Sequence, residues 1–167
     1  MSKTRLYFAY GSNLLPARLK ARTPSARLIG NAILSGHRLY WHKHGIDDTG
    51  KCDIVATGQS RHQVLGAVYS IDVGEWHHLD HAEELGTGYQ ACTATVLLRG
   101  EPVEAHSYRA LITNPDLKPF DWYKEFVMTG ARQHGFPEDY IRQLDCMPAL
   151  ADPDPQRAEF NRRLLTA

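Results

Sequence analysis

The sequence predicts an α+β fold: a curved, mostly antiparallel sheet or small β-barrel with flanking helices. Three observations lead to it. Short β-like stretches separated by Gly and Asp turns fill the first two thirds of the chain, an amphipathic helix interrupts them at 72–84, and the last third follows a helical period. At 167 residues and 43% hydrophobic content, the chain is long enough for one ordinary core and short for two. We therefore expect a single domain over 1–167, with its core at 4–145 and a helical tail at 146–167.

Taken in order, Leu6-Tyr7-Phe8-Ala9-Tyr10 is an apolar run closed by Gly11-Ser12-Asn13, which reads as a strand buried on both faces. A short helix follows from Leu14 to Ala21 and stops before Pro24. Four β-like stretches come next, at 26–34, 38–44, 52–57 and 63–71, and their turn spacing suggests an antiparallel meander. Asp72 with Glu75 three residues later makes an N-cap and capping box for the helix 72–84. The stretches 90–98 and 103–110 flank a Gly100 turn and should pair as a hairpin. Phe120, Tyr123, Phe126, Val127, Gly130 and Ala131 share one helical stripe, and Gly135 stands where a C-cap belongs. A second short helix should start at Pro137, and Asp152-Pro153-Asp154-Pro155 breaks the chain before a polar last helix.

Nineteen basic and nineteen acidic residues cancel, so no global field gathers nucleic acid or an anionic membrane. No segment reaches the roughly 18 apolar residues of a membrane helix. The N-terminal residues also lack the apolar region of a signal peptide. A soluble, cytoplasmic protein is the expectation. Cys52, Cys92 and Cys146 are odd in number and widely spaced, which suits reduced, buried thiols better than disulfides or metal sites.

The turn Gly11-Ser12-Asn13 joins a strand to a helix start. It reads either as a nest of outward N–H groups that would hold an anion, or as a plain turn with a side-chain cap. On the helix 72–84, Glu83 projects ~20° from Trp76 and ~40° from Leu79 at about 100° per residue, which puts a carboxylate on the apolar face. Glu84 points toward the solvated edge. Glu83 thus suits a carboxyl that accepts and returns a proton, or else it reaches an arginine as a structural ion pair. His77, His81 and Glu84 lie on one helix face and His42 and His44 alternate on a strand, but neither set completes a zinc site, so no metal or cofactor is expected. A nucleophilic Ser12 lacks a base in the sequence pattern.

Read whole, Tyr7-Phe8-Ala9-Tyr10-Gly11-Ser12-Asn13-Leu14 resembles the signature loop of the γ-glutamylcyclotransferase family. Further matches follow in order. Leu79-Asp80-His81-Ala82-Glu83 resembles the L-D-x-x-E segment, Gly86 to Tyr89 the G-x-G-Y, and Ser107-Tyr108 the S-Y strand. Trp122-Tyr123 with Gly130-Ala131, Gly135-Phe136-Pro137 and Tyr140 resembles the late helical block. The resemblance runs over 4–145 and departs at Glu84, where many relatives carry glycine.

The resemblance implies a γ-glutamylcyclotransferase fold and an intramolecular cyclisation of a γ-glutamyl amide, which releases 5-oxoproline and an amine or amino acid. Glu83 would be the catalytic acid/base. Tyr10, Gly11, Ser12, Asn13, Leu14, Tyr89, Tyr108 and Tyr123 would bind a small-molecule γ-glutamyl substrate. The loop amides would serve the oxyanion and the α-carboxylate, and the tyrosines would shape the fold-back. Neither cofactor nor metal is implied. The alternatives are a relative acting on a γ-glutamylamine, an amidohydrolase with Glu83 activating water, and a non-catalytic carboxylate- or peptide-binding module. Some similar proteins form dimers, and the sequence leaves a homodimer open.

Overall fold

A computed structural model describes residues 2–167. Over these residues the chain forms β1 (Thr4–Ala9), α1 (Pro16–Arg22), β2 (Arg27–Ser35), β3 (His37–His44), β4 (Gly50–Ala56), β5 (Gln63–Asp72), α2 (Trp76–Ala82), β6 (Tyr89–Leu98), β7 (Glu101–Ala110), α3 (Asp121–Gln133), α4 (Glu138–Asp145) and α5 (Pro155–Arg162). No helix among them is long and apolar enough to cross a membrane.

Five strands close into a barrel in the order β1-β5-β2-β6-β7, completed by a parallel contact between β1 and β7 at Tyr7 and His106. The α+β barrel with flanking helices agrees with the fold class read from the sequence. The meander does not survive. β3 and β4 pair only with each other, as a separate ribbon, and β2 reaches past them to pair with β5. Local alternation marks each strand but carries no record of which distant strand it pairs with. The ribbon turns one stripe inward, with Trp41 and Lys43 on β3 and Cys52 and Ile54 on β4, and keeps Arg38, Tyr40 and His44 exposed.

The caps explain where the helices lie. Asp72 accepts a hydrogen bond from the Gly74 amide, but Glu75 does not close the expected box. It accepts from the Ser25 amide and hydroxyl, and the Ser25 hydroxyl in turn accepts from the Asp72 amide. The reciprocal cap therefore runs through Ser25, which fastens the start of α2 to the loop before β2. At the other end of α3, Gly135 takes φ +68°, Phe136 N–H donates to the Ala131 carbonyl and Gly135 N–H to the Arg132 carbonyl. This is the Schellman arrangement that glycine permits.

Gly130 sets the position of the loop that matters most. A Cβ there would fall 2.5 Å from the Leu14 carbonyl carbon, so α3 can lie against the turn Ser12–Leu14 only because residue 130 has no side chain. The tail is tied to α3 in turn. The fully buried Asp152 carboxylate accepts from Trp122 Nε1 at 2.8 Å and from Arg157 Nε at 2.7 Å and Nη2 at 2.6 Å. The cysteines differ from expectation in one respect: Cys52 is buried and Cys92 half-buried, but Cys146 is exposed, because it sits just past the end of α4.

Candidate active site

The turn after β1 and the end of α2 meet at the mouth of the barrel. Helix α2 stops at Ala82, and Glu83 takes the C-cap position with its amide still bonded to the Leu79 carbonyl. Trp76 and Leu79, which share its face, are buried beneath it, so the carboxylate is held at the edge of the core with 14% of its side chain exposed. Asn13 Nδ2 donates to Glu83 Oε1 at 2.9 Å and to Tyr7 Oη at 2.9 Å. Arg22, from α1, donates through Nη1 to the same Oε1 at 3.1 Å and to Asn13 Oδ1 at 3.0 Å. Glu83 Oε2 has no hydrogen-bond partner among the described residues. The sequence left an acid/base and an arginine-paired carboxylate as alternatives; the arginine is present, and it occupies one oxygen of the two.

Beside this carboxylate, the Gly11, Ser12 and Asn13 amides have no acceptor among the described residues, whereas the Leu14 amide donates to the Gly11 carbonyl at 3.0 Å. Three free N–H groups at a strand-to-turn junction form an anion nest. Glycine at 11 is required by close approach, since a Cβ there would lie 2.9 Å from Cys52 Cβ on the ribbon. Ser12 Oγ accepts from Arg18 Nε at 3.0 Å and makes no hydrogen bond to a carboxylate or an imidazole among the described residues.

A narrow recess of about 20 Å³, room for one water, is lined by Tyr7, Tyr10, Gly11, Ser12, Asn13, Cys52, Glu83, Tyr89, Tyr108 and Tyr123. It joins a vestibule of about 410 Å³, and Ser12, Glu83, Tyr89 and Tyr123 line both. Of the residues singled out in the sequence, Glu83, Tyr10, Gly11, Ser12, Asn13, Tyr89, Tyr108 and Tyr123 come together here. Leu14 is placed otherwise: its side chain is fully buried in the core under α3, and its amide is already bonded within the turn. A larger groove of about 540 Å³, between β3, β5 and α4, is lined by none of them.

The tyrosines are braced rather than free. Tyr10 Oη donates to the Tyr108 carbonyl at 2.6 Å, Tyr89 Oη donates to the Cys52 carbonyl at 2.7 Å, and Tyr123 Oη accepts from the Cys52 amide at 3.0 Å. Tyr108 Oη donates to Asp80 Oδ1 at 2.6 Å. Burial pushes the Tyr7, Tyr10, Tyr89, Tyr108 and Tyr123 phenols above their ordinary range, and it pushes the Cys52 thiol up as well. Near neutral pH these groups keep their protons. Glu83 is the one carboxylate among the described residues lining the recess.

Glu84 is not the solvated glutamate expected from its helical angle. It adopts φ +51°, in the left-handed region that favours glycine, and its Oε2 accepts from Lys43 Nζ at 2.8 Å. Lys43 is buried, with its ammonium 4.8 Å from the Tyr89 ring centre. Sequence reasoning missed Arg22, Arg18 and Cys52 as parts of this site. Arg22 and Arg18 are one turn apart on α1 and so share a face, but the face that a short polar helix presents is decided by its neighbours.

Comparison with known proteins agrees with this architecture. A model of the AIG2-like family matches residues 63–144. Gamma-glutamylcyclotransferase of Homo sapiens is 32% identical over 145 residues, covering 83% of this chain and 76% of that protein, and the Bos taurus protein of the same name is 32% identical over 146 residues, covering 84% and 77%. A solved structure described as a gamma-glutamyl cyclotransferase superposes with a TM-score of 0.84 at 23% identity, covering 96% of this chain and 99% of that one. At that identity the superposition shows a shared fold, the α+β barrel with flanking helices. The chain belongs to the gamma-glutamylcyclotransferase family.

Proposed function

We propose that this chain cyclises a γ-glutamyl amide, releasing 5-oxoproline and an amine or amino acid. The observation that carries the reading is the arrangement of Glu83, anchored through Oε1 by Asn13 and Arg22 with Oε2 unpaired, beside the free amides of Gly11, Ser12 and Asn13. In this reading Oε2 takes a proton from the α-ammonium of the glutamyl group. The amine attacks its own γ-carbonyl, the nest amides receive the negative charge on the carbonyl oxygen, and the proton passes to the leaving nitrogen as its bond to carbon breaks; the ring nitrogen gives up one further proton, which leaves the lactam neutral and the released amine as an ammonium. The braced tyrosines leave the recess room for about one water, so in this reading the glutamyl chain folds back in the adjoining vestibule, against the recess mouth. Arg22 and Asn13 fix the carboxylate so that no reorientation precedes proton transfer.

The test is mass-spectrometric detection of 5-oxoproline from a panel of γ-glutamyl-amino acids and γ-glutamylamines. Glu83→Gln should fold normally and lose turnover by at least about 10², because the amide cannot carry the proton. Glu84→Gln should keep most of it. Equal losses in the two variants would refute the role of Glu83. Binding of a panel member without turnover would favour the non-catalytic module, and release of free glutamate would favour hydrolysis.

A further inference from the structure

The groove between β3, β5 and α4, of about 540 Å³, shares no lining residue with the recess or the vestibule and has the size of a small-molecule site. Its floor is apolar: Leu39 and Trp41 come from β3, Leu65 from β5 and Leu144 from α4. Trp41 is buried, and its ring meets that of Tyr123 edge-on with 6.2 Å between centres, so the floor is packed from below. Tyr140 Oη accepts from the Leu65 amide at 3.2 Å and thereby holds α4 to β5 across the groove. The rim is cationic. Arg38 and Arg61 are exposed and have no carboxylate partner among the described residues, and Asp139, the one carboxylate lining the groove, is paired with Arg142 on its own helix. His62 lies near both arginines, and burial together with the Arg38 and Arg61 charges lowers its pKa below the ordinary value. The Thr57 hydroxyl donates to the Gly36 carbonyl at 3.2 Å, so His62 Nδ1 donates to Thr57 Oγ1 at 2.9 Å, which fixes the ring and leaves Nε2 without a partner. The side-chain amides of Gln63 and Gln143 are exposed at the rim and make no hydrogen bond among the described residues.

Two guanidinia without an internal counter-charge suit a phosphate monoester, which carries about −1.5 to −2 near neutral pH and accepts from guanidinium forks bidentately. A bare anion would leave the apolar floor wet, whereas a flat ring would cover it. The two glutamine amides each present a donor beside an acceptor, the pattern that the edge of a nucleobase answers. We propose that this groove binds a nucleoside monophosphate: the phosphate lies between Arg38 and Arg61, the base lies on the floor of Leu39, Trp41, Leu65 and Leu144, and Gln63 and Gln143 meet the base edge. The site is separate from the barrel mouth and does not depend on the reaction proposed there. An acidic peptide would satisfy the same two arginines but brings no flat ring to the floor.

The experiment is calorimetric titration of the whole chain with AMP, GMP, CMP and UMP, and with adenosine, ribose 5-phosphate and inorganic phosphate as the separate parts. At least one nucleoside monophosphate should bind more tightly than any part by about 10-fold or more, since each part forfeits either the charge-assisted contacts or the covered floor. Arg38→Gln and Arg61→Gln, both at exposed positions where folding is not at stake, should each weaken that binding by about 10- to 100-fold. Arg27→Gln removes an exposed arginine of β2 that does not line the groove and should leave the affinity unchanged, which separates the two contacts from a general loss of positive charge. Binding should also change the tryptophan emission of wild type and not that of Trp41→Phe, which keeps Trp76 and Trp122. No saturable binding of any nucleoside monophosphate at millimolar concentration, binding no tighter than that of inorganic phosphate, or unchanged affinity in both groove-arginine variants would overturn the proposal. Tighter binding of poly-glutamate than of every nucleotide would overturn it as well and assign the groove to an acidic chain.

Discussion

The Lys43–Glu84 pair beside the site makes an unequal prediction, because its two members are buried to different degrees. The Lys43 side chain is 2% exposed and that of Glu84 is 34% exposed. Glu84→Ala would leave a buried ammonium with no anion, which costs about 3–5 kcal/mol. Lys43→Met would leave a carboxylate that water can already reach, and the loss should be about 1 kcal/mol or less. Glu84 also stands at φ +51°, where a side chain costs about 1–2 kcal/mol that glycine avoids. Glu84→Gly should therefore be milder than Glu84→Ala by roughly that amount. For a chain of this size each kcal/mol moves the melting temperature by about 2–4 °C. Calorimetric melts should then place Glu84→Ala roughly 6–20 °C below wild type, Glu84→Gly a few degrees above that, and Lys43→Met within about 4 °C of wild type. If Lys43→Met melts lower than Glu84→Ala, the argument from burial is wrong. If Glu84→Gly and Glu84→Ala melt together, the backbone at residue 84 is not strained.

Arg18 lies with its guanidinium 4.8 Å from the Phe126 ring centre and has no carboxylate partner among the described residues; Arg18→Met keeps that packing and removes the charge, so it should be more stable than wild type by about 1–2 kcal/mol, roughly 2–8 °C in melting temperature. The folded-state pKa of Arg18 lies below its unfolded value, so the penalty on wild type is full at lower pH and fades as the folded protein releases the proton above about pH 10; the difference in melting temperature should be flat below that and shrink above it. The hydrogen bonds from Arg157 hold the Asp152 carboxyl well below its usual range. Asp152→Asn should thus lower the melting temperature at neutral pH, and the deficit should close as pH falls below about 4, the ordinary carboxylate range; a deficit that stays constant at low pH would mean that packing, not charge, ties the tail to α3.

Much of this fold was legible because its signals are local. The strand stretches, the Gly135 cap, the break at Asp152 to Pro155 and the apolar face carrying Trp76, Leu79 and Glu83 are each written within a few residues, and the structure places elements there. What was illegible is long-range. The ribbon's separation from the barrel, the relay of the α2 cap through Ser25 and the clamp of Asn13 and Arg22 on Glu83 each join residues about fifty or more apart or on different elements. The reading of Glu84 failed for a different reason. An angular argument assumes that the helix continues, and α2 ends at Ala82. Resemblance had marked residue 84 as unusual, but only the backbone angle explains why glycine suits it.

Cys52 holds two of the pocket's tyrosines through its main chain: its amide donates to Tyr123 and its carbonyl accepts from Tyr89. A wall held by peptide groups places few demands on the side chain that carries them. A changed side chain at residue 52 would therefore keep both anchors, within the limits set by its burial, its place in the recess wall and its closeness to Gly11. The ribbon lies outside the closed barrel, so the two tyrosines are held from a part of the chain that does not share the register of the five barrel strands.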